Sequence, residues 1–286
     1  MRQQIAWVEH ENRVYKASGV RQTGWPHAPV TLLIQTLFDL HKDLSFFILR
    51  RKIYTTGTVT DFERAMVFLA AKRVQDQSEF DEAQVLAQGK QVVDLTLTSV
   101  HHLPKFASNL PLKDLFPEEE LAKQLSEFES ARFRTLKQNQ IQRQGQGQER
   151  GMNKLSPGSF AQILSPLLMK QLDRIERGDV RHDYNRRIAA AIFSREGELI
   201  KASYANNYVN KTLHAEVCCF QNSSFQTGCF MVVTLKPCRM CAEMAWHWSG
   251  GDPQFKIFFV EDDPGTKAQG SRLEREGQLN QISKIK

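Results

Sequence analysis

Phe160, Ile163, Leu164, Leu167 and Leu168 recur at helical spacing and predict a helix over 160–176. Beyond it, residues 187–194 and 198–204 read as two strands joined by the turn Arg195-Glu196-Gly197. Thr212 offers a cap for a helix from Leu213 to about Gln221. The run 229–235 is rich in β-branched residues and predicts a strand, and Pro237 stands at a favoured first helical position for a helix reaching Gly250. Residues 255–260 form the next strand. The order α-β-β-α-β-α-β predicts a three-layer α-β-α domain.

The N-terminal part has a similar pattern. It predicts strand 4–9, a turn at Glu11-Asn12, strand 13–17, helix 29–42, strand 44–50, helix 61–77 and strand 91–98. Two readings of this α/β region stand side by side: a degenerate copy of the C-terminal domain, or an unrelated α/β domain. It holds no cysteine and no His-x-Glu, so neither reading gives it a catalytic zinc.

Between the two parts the pattern stops. The segment Lys137-Gln-Asn-Gln-Ile-Gln-Arg-Gln-Gly-Gln-Gly-Gln-Glu-Arg150 is polar, punctuated by glycine and without apolar periodicity. The chain thus divides into an N-terminal domain over 1–130, a basic linker over 131–157 and a C-terminal domain over 158–286. Of a net charge of +6, the stretch 131–155 carries five, from six basic residues and one acidic. That charge fits either a solvated spacer or a strap along nucleic-acid phosphates. Gly145 and Gly147 follow no strand, which excludes a dinucleotide-binding loop.

At 286 residues, 41% hydrophobic and 24% charged, the chain has the balance of an ordinary globular protein. Its apolar stretches fall well short of the roughly 20 residues of a bilayer span, and Met1-Arg-Gln-Gln-Ile lacks a secretory apolar region. The expectation is a cytoplasmic protein with no membrane partner. All five cysteines lie at 218, 219, 229, 238 and 241, a distribution that favours a metal or catalytic site over a disulfide framework.

Two segments carry the candidate chemistry: His214-Ala215-Glu216 and Pro237-Cys238-Arg-Met-Cys241, each opening a predicted helix just past a strand. Ligands of open α/β sheets collect at such strand ends. Cys238 and Cys241, three apart in a first helical turn, can turn both sulfurs towards one ion, and the helix dipole helps to hold them as thiolates. His214 adds a third donor. Such a set suits tetrahedral Zn²⁺ with one position open to water, and Glu216 stands close enough to move that water's proton. The competing arrangement is a closed structural zinc site with Cys218 as fourth ligand.

The H-x-E and P-C-x-x-C pair resembles the cytidine deaminase-like superfamily of zinc-dependent nucleobase deaminases. Within it the chain is most similar to the tRNA adenosine deaminases, through Thr212-Leu-His-Ala-Glu216, Pro237-Cys-Arg-Met-Cys-Ala242 with His247, Asp263-Pro-Gly-Thr-Lys-Ala-Gln-Gly-Ser271 and Gly277-Gln-Leu-Asn280. The likeness covers about 158–286. It implies a cytidine deaminase-like fold with a final strand near 281–285 parallel to its neighbour. By the resemblance His214, Cys238 and Cys241 are zinc ligands and Glu216 the proton shuttle. An asparagine, Asn206 or else Asn207, would hold the base, and the Ala215 backbone N–H would meet its edge.

Family dimers find their counterpart either in a second copy or, if the N-terminal domain is a degenerate copy, within the chain. His247 reads as structural, and Trp246 and Trp248 lie on successive helix faces, so at most one meets the sheet. The spacing from Glu216 to Pro237 is short for the family, and the His-Ser-Arg that the family places after the second motif is here His247-Trp-Ser-Gly. The expected activity is hydrolytic deamination of adenosine in RNA, with tRNA the expected substrate, to inosine. The alternatives are a deaminase of a free base or nucleoside, such as guanine, cytosine or cytidine, and a non-catalytic zinc-containing RNA-binding subunit.

Overall fold

A computed structural model describes residues 3–21, 26–77, 79–96, 156–176, 188–195, 197–205, 210–263, 265 and 268–282. Residues 131–155 of the linker, Asn206 and Asn207 lie outside the described residues.

The N-terminal half opens with β1 (Gln4–His10) and β2 (Arg13–Gly19), an antiparallel hairpin closed by Glu11-Asn12, with Glu11 at a positive φ of 53°. Then follow α1 (Pro29–Leu40), α2 (Lys42–Leu49), β3 (Lys52–Thr56), α3 (Asp61–Ala70), β4 (Arg73–Gln77), α4 (Glu82–Ala87) and β5 (Gln91–Asp94). The C-terminal half has α5 (Pro157–Glu176), β6 (Ala189–Phe193), β7 (Leu199–Tyr204), α6 (Ala215–Gln221), β8 (Phe230–Leu235), α7 (Arg239–Trp248), β9 (Lys256–Glu261), α8 (Arg272–Arg275) and β10 (Leu279–Gln281).

Three expectations are corrected. The run 44–50 is helical, because Ser45, Ile48 and Leu49 are buried while Phe46 and Phe47 face out, a spacing of three and four that a strand cannot give. The helix over 61–77 ends at Ala70, and 73–77 is a strand at the sheet edge. The last strand begins at Leu279, earlier than 281, and is parallel to its neighbour as expected.

Each half holds a five-stranded mixed sheet, in the orders β4-β3-β1-β2-β5 and β10-β9-β8-β6-β7. Within the first, β1 is antiparallel to β2 and β3, and β3 is parallel to β4. Within the second, β6 is antiparallel to β7 and β8, and β8 is parallel to β9. The C-terminal sheet is covered on one face by α5, through Ala161, Leu164 and Leu168, and on the other by α6 and α7, which gives the three layers. A single apolar cluster runs from Ala6, Leu33 and Met66 to Val217, Ala242 and Trp248, so the two halves share one core. Phe62 of α3 meets His247 of α7 with ring centroids 4.8 Å apart. Trp248 is wholly buried, each such large side chain stabilising by about 1.5–3 kcal/mol. Trp246 lies on the next face under the Arg272 guanidinium, 4.3 Å from its ring.

Candidate metal centre

Both candidate segments end up at helix starts, though two positions later than their sequence signals indicate. The cap of α6 is His214 itself, and Thr212 instead donates its hydroxyl to Asn210 Oδ1 at 2.8 Å. The cap of α7 is Cys238, with Pro237 just ahead of it. A cap residue has extended backbone and turns its side chain across the open end of the helix, so His214 and Cys238 face each other there.

Among the described residues, these two and Cys241 form the group able to hold a metal ion. Cys238 Sγ lies 3.5 Å from Cys241 Sγ and 3.5 Å from His214 Nδ1, and Cys241 Sγ lies 3.4 Å from the same nitrogen. A tetrahedral Zn²⁺ with Zn–S near 2.3 Å and Zn–N near 2.0–2.1 Å would give donor separations of about 3.5–3.8 Å. The triangle therefore fits the ion in donor chemistry and in size. Cys218 is not part of it: that thiol is fully buried and packs with Leu213. The closed four-ligand arrangement has no support in this geometry.

Electrostatics separates the two thiols. Cys241's hydrogen bond, with help from the neighbouring His214, pulls the Cys238 pKa well below the usual thiol value against its burial. Burial and the Cys238 thiolate push Cys241 well above it. Burial alone would lower His214, but the charges of Cys238 and Glu216 outweigh it and raise its pKa. A hydrogen bond to the Lys211 backbone helps to orient its ring.

Glu216 is 2% exposed, and its Oε2 is buried with no hydrogen-bond partner among the described residues. Burial raises its carboxyl to about 7, with His214 opposing and Cys238 adding. An orphaned carboxylate oxygen beside three metal donors marks a place for a polar group that the chain itself does not supply. Ala215 occupies the first turn of α6 and is fully buried.

One positioning residue gave no sequence signal. Asn210 is 1% exposed and bonded on both sides. Its Oδ1 accepts from Thr212 N at 3.0 Å as well as from the Thr212 hydroxyl, and its Nδ2 donates to Gln35 O at 3.0 Å and Asp39 Oδ1 at 2.8 Å. The turn that presents His214 is thus fastened to α1 of the other half. Partners far apart in sequence leave no periodic trace.

Residues 179–284 match the family model of the Bd3614-like deaminases. No curated protein matches the chain at a significant level. Among solved structures the chain is similar to a tRNA:A34 deaminase studied for A-to-I editing at the wobble position of transfer RNA, with 21% identity, 41% of this chain and 92% of that one covered, and a TM-score of 0.29. It is also similar to a guanine deaminase from Nitrosomonas europaea, with 14% identity, coverage of 46% and 80%, and a TM-score of 0.31.

Proposed function

Taking residues 179–284 as a cytidine deaminase-like domain of the Bd3614-like kind, we propose that the protein is a zinc-dependent hydrolytic nucleobase deaminase acting on adenosine in RNA. The observation that carries this is the unpartnered Glu216 Oε2 buried beside the His214–Cys238–Cys241 triangle. His214 Nδ1 and the two sulfurs would hold the ion. When bound, zinc supplies Lewis acidity that lowers the pKa of a water molecule towards neutrality.

Glu216 takes the proton of the attacking water on Oε2 and delivers it to the exocyclic amino group. The ring carbon gains a C–O bond, its C–N bond breaks, and ammonia leaves. The backbone N–H of Ala215 and the side chain of Asn206 or Asn207 would read the base.

A base in a folded RNA has to leave its stack, at a cost of a few kcal/mol, and the enzyme must grip the strand elsewhere. Two features support such a grip. One is the basic stretch 131–155. The other is α2, where Phe46 and Phe47 are 49% and 55% exposed and Arg50 lies 4.1 Å from the Phe46 ring, next to Arg51 and Lys52. Exposed rings beside cations suit stacking on bases and contact with phosphates.

The test is to incubate the zinc-loaded protein with total tRNA and with free adenosine, guanine and cytidine, and to follow ammonia and the deaminated products by mass spectrometry. Inosine in tRNA is the expected product. Deamination confined to the free compounds would overturn the RNA assignment, and no ammonia from any of them would overturn the deaminase.

A further inference from the structure

The N-terminal half contains a buried charged cluster that the proposed chemistry does not use. Arg21 and Glu63 side chains are 8% and 0% exposed. Arg21 Nε donates to Glu63 Oε2 at 2.8 Å, and Nη2 donates to Glu63 Oε1 at 3.1 Å and Thr55 Oγ1 at 2.8 Å. Its Nη1 donates to Thr56 O at 3.0 Å and to Gln4. Glu63 Oε2 accepts from Thr60 N at 2.9 Å and Thr60 Oγ1 at 2.7 Å, and Oε1 accepts from Val30 N at 3.4 Å. Burying two charges is costly unless both are paired and fully hydrogen-bonded, and this network meets that demand.

Its place in the fold matches that of the metal centre. The strand order β4-β3-β1-β2 repeats β9-β8-β6-β7 with the same directions. Accordingly α1 follows β2 as α6 follows β7, and α3 follows β3 as α7 follows β8. Thr60 and Glu63 are the cap and third residue of α3, as Cys238 and Cys241 are of α7. Val30 is the second residue of α1, as Glu216 is of α6. The helix positions that offer thiolates on one side therefore offer a hydroxyl and a carboxylate on the other, closed around a guanidinium. Two helix N-termini disfavour a cation, and the Glu63 carboxylate offsets that.

We propose that the N-terminal half is a metal-free counterpart of the candidate catalytic half, with Arg21 as its built-in cation, and that it serves to position His214. Helix α1, fixed at its start by this cluster, grips α6 at both ends. At one end Asn210 links Gln35 and Asp39 to the turn before His214. At the other, Gln35 and Gln221 exchange amide hydrogen bonds of 3.1 and 2.8 Å, and His27 Nε2 lies 3.3 Å from the Gln221 carbonyl. This role rests on His214 being a metal ligand, and not on which compound is deaminated.

Zinc affinity of the full chain, read by competition with a chromophoric chelator in the absence of substrate, tests it. The wild-type chain is expected to bind one zinc. Asn210→Ala and Asp39→Ala are expected to weaken binding by roughly ten- to a hundredfold, the usual effect of losing a group that orients a metal ligand. Glu63→Gln, which strips Arg21 of its counter-ion, is expected to weaken it in the same direction. Circular dichroism identifies the variants that fold, and Asp39→Ala, distant in sequence from both helix tips, keeps the test open if Glu63→Gln does not. Two zinc ions per wild-type chain, or unchanged affinity in the folded variants, would overturn the proposal. Because no substrate is present, a failure here is distinct from a failure of the deaminase reading.

Discussion

In the proposed reaction Glu216 is the residue on which the chemistry turns, since the other three side chains of the candidate centre would serve as metal donors. Glu216→Gln keeps the shape and removes the proton acceptor, so it is expected to lower the rate of ammonia release by two to four orders of magnitude while zinc content stays at the wild-type level. Metal analysis beside the ammonia assay checks this, and a variant with wild-type turnover would dismiss the role. Cys238→Ser is expected to lose zinc as well as activity. These residues were legible in the sequence because donor type and spacing carry their own meaning: two thiols three apart at a helix start, and a histidine two residues before a carboxylate. Thr212 shows where such legibility ends. It has the residue type of a helix cap, yet its hydroxyl serves Asn210, and that pairing is visible only once α1 and the turn before His214 are brought together.

At the scale of elements, the end of α7 fixes the helix that presents two of the candidate donors. Gly251 has a φ of +74°, its N–H bonds Trp246 O at 3.0 Å, and an added Cβ would lie 2.9 Å from the Trp246 ring. Gly251→Ala is therefore expected to destabilise the fold by about 1–3 kcal/mol, seen as a lower Tm; an unchanged Tm would contradict this account of the turn. Elements with a clear apolar stripe or β-branched run were readable from sequence, among them α1, α6, α7, β8 and β9. Those that failed did so for physical reasons. Residues 44–50 form a short apolar and aromatic run, which periodicity alone does not resolve into helix or strand. In β4 almost every residue is exposed, because it is an edge strand, and a strand without an apolar face gives no alternation to read.

For the molecule as a whole, the shared core makes the contact between halves part of folding stability. His27 sits at that contact, and burial lowers its pKa below the ordinary imidazole value, the Gln221 carbonyl opposing. The unfolded chain then binds the proton more readily. The stability due to neutral His27 is complete above the unfolded value of roughly 6.5 and is lost as the pH falls below it. Thermal unfolding followed from pH 8 to 5 should show Tm falling on the acid side, with His27→Gln reducing that fall. Since burial and Arg13 also lower His41, part of the slope should remain in the variant. An identical acid slope in wild type and variant would remove His27 from the account.

RNA binding belongs to the same scale. Replacing Phe46 and Phe47 together by alanine is expected to weaken tRNA binding by about 1–3 kcal/mol per lost stack, without altering zinc content. Filter binding at several salt concentrations measures it, and wild-type affinity would release α2 from the interface. The most direct test of the central claim is X-ray absorption at the zinc edge of the purified full-length protein. The account predicts two sulfur neighbours near 2.3 Å with one imidazole nitrogen and one further light atom near 2.0 Å, a pattern lost in Cys238→Ser. A third sulfur in the shell, or no bound zinc, would contradict it.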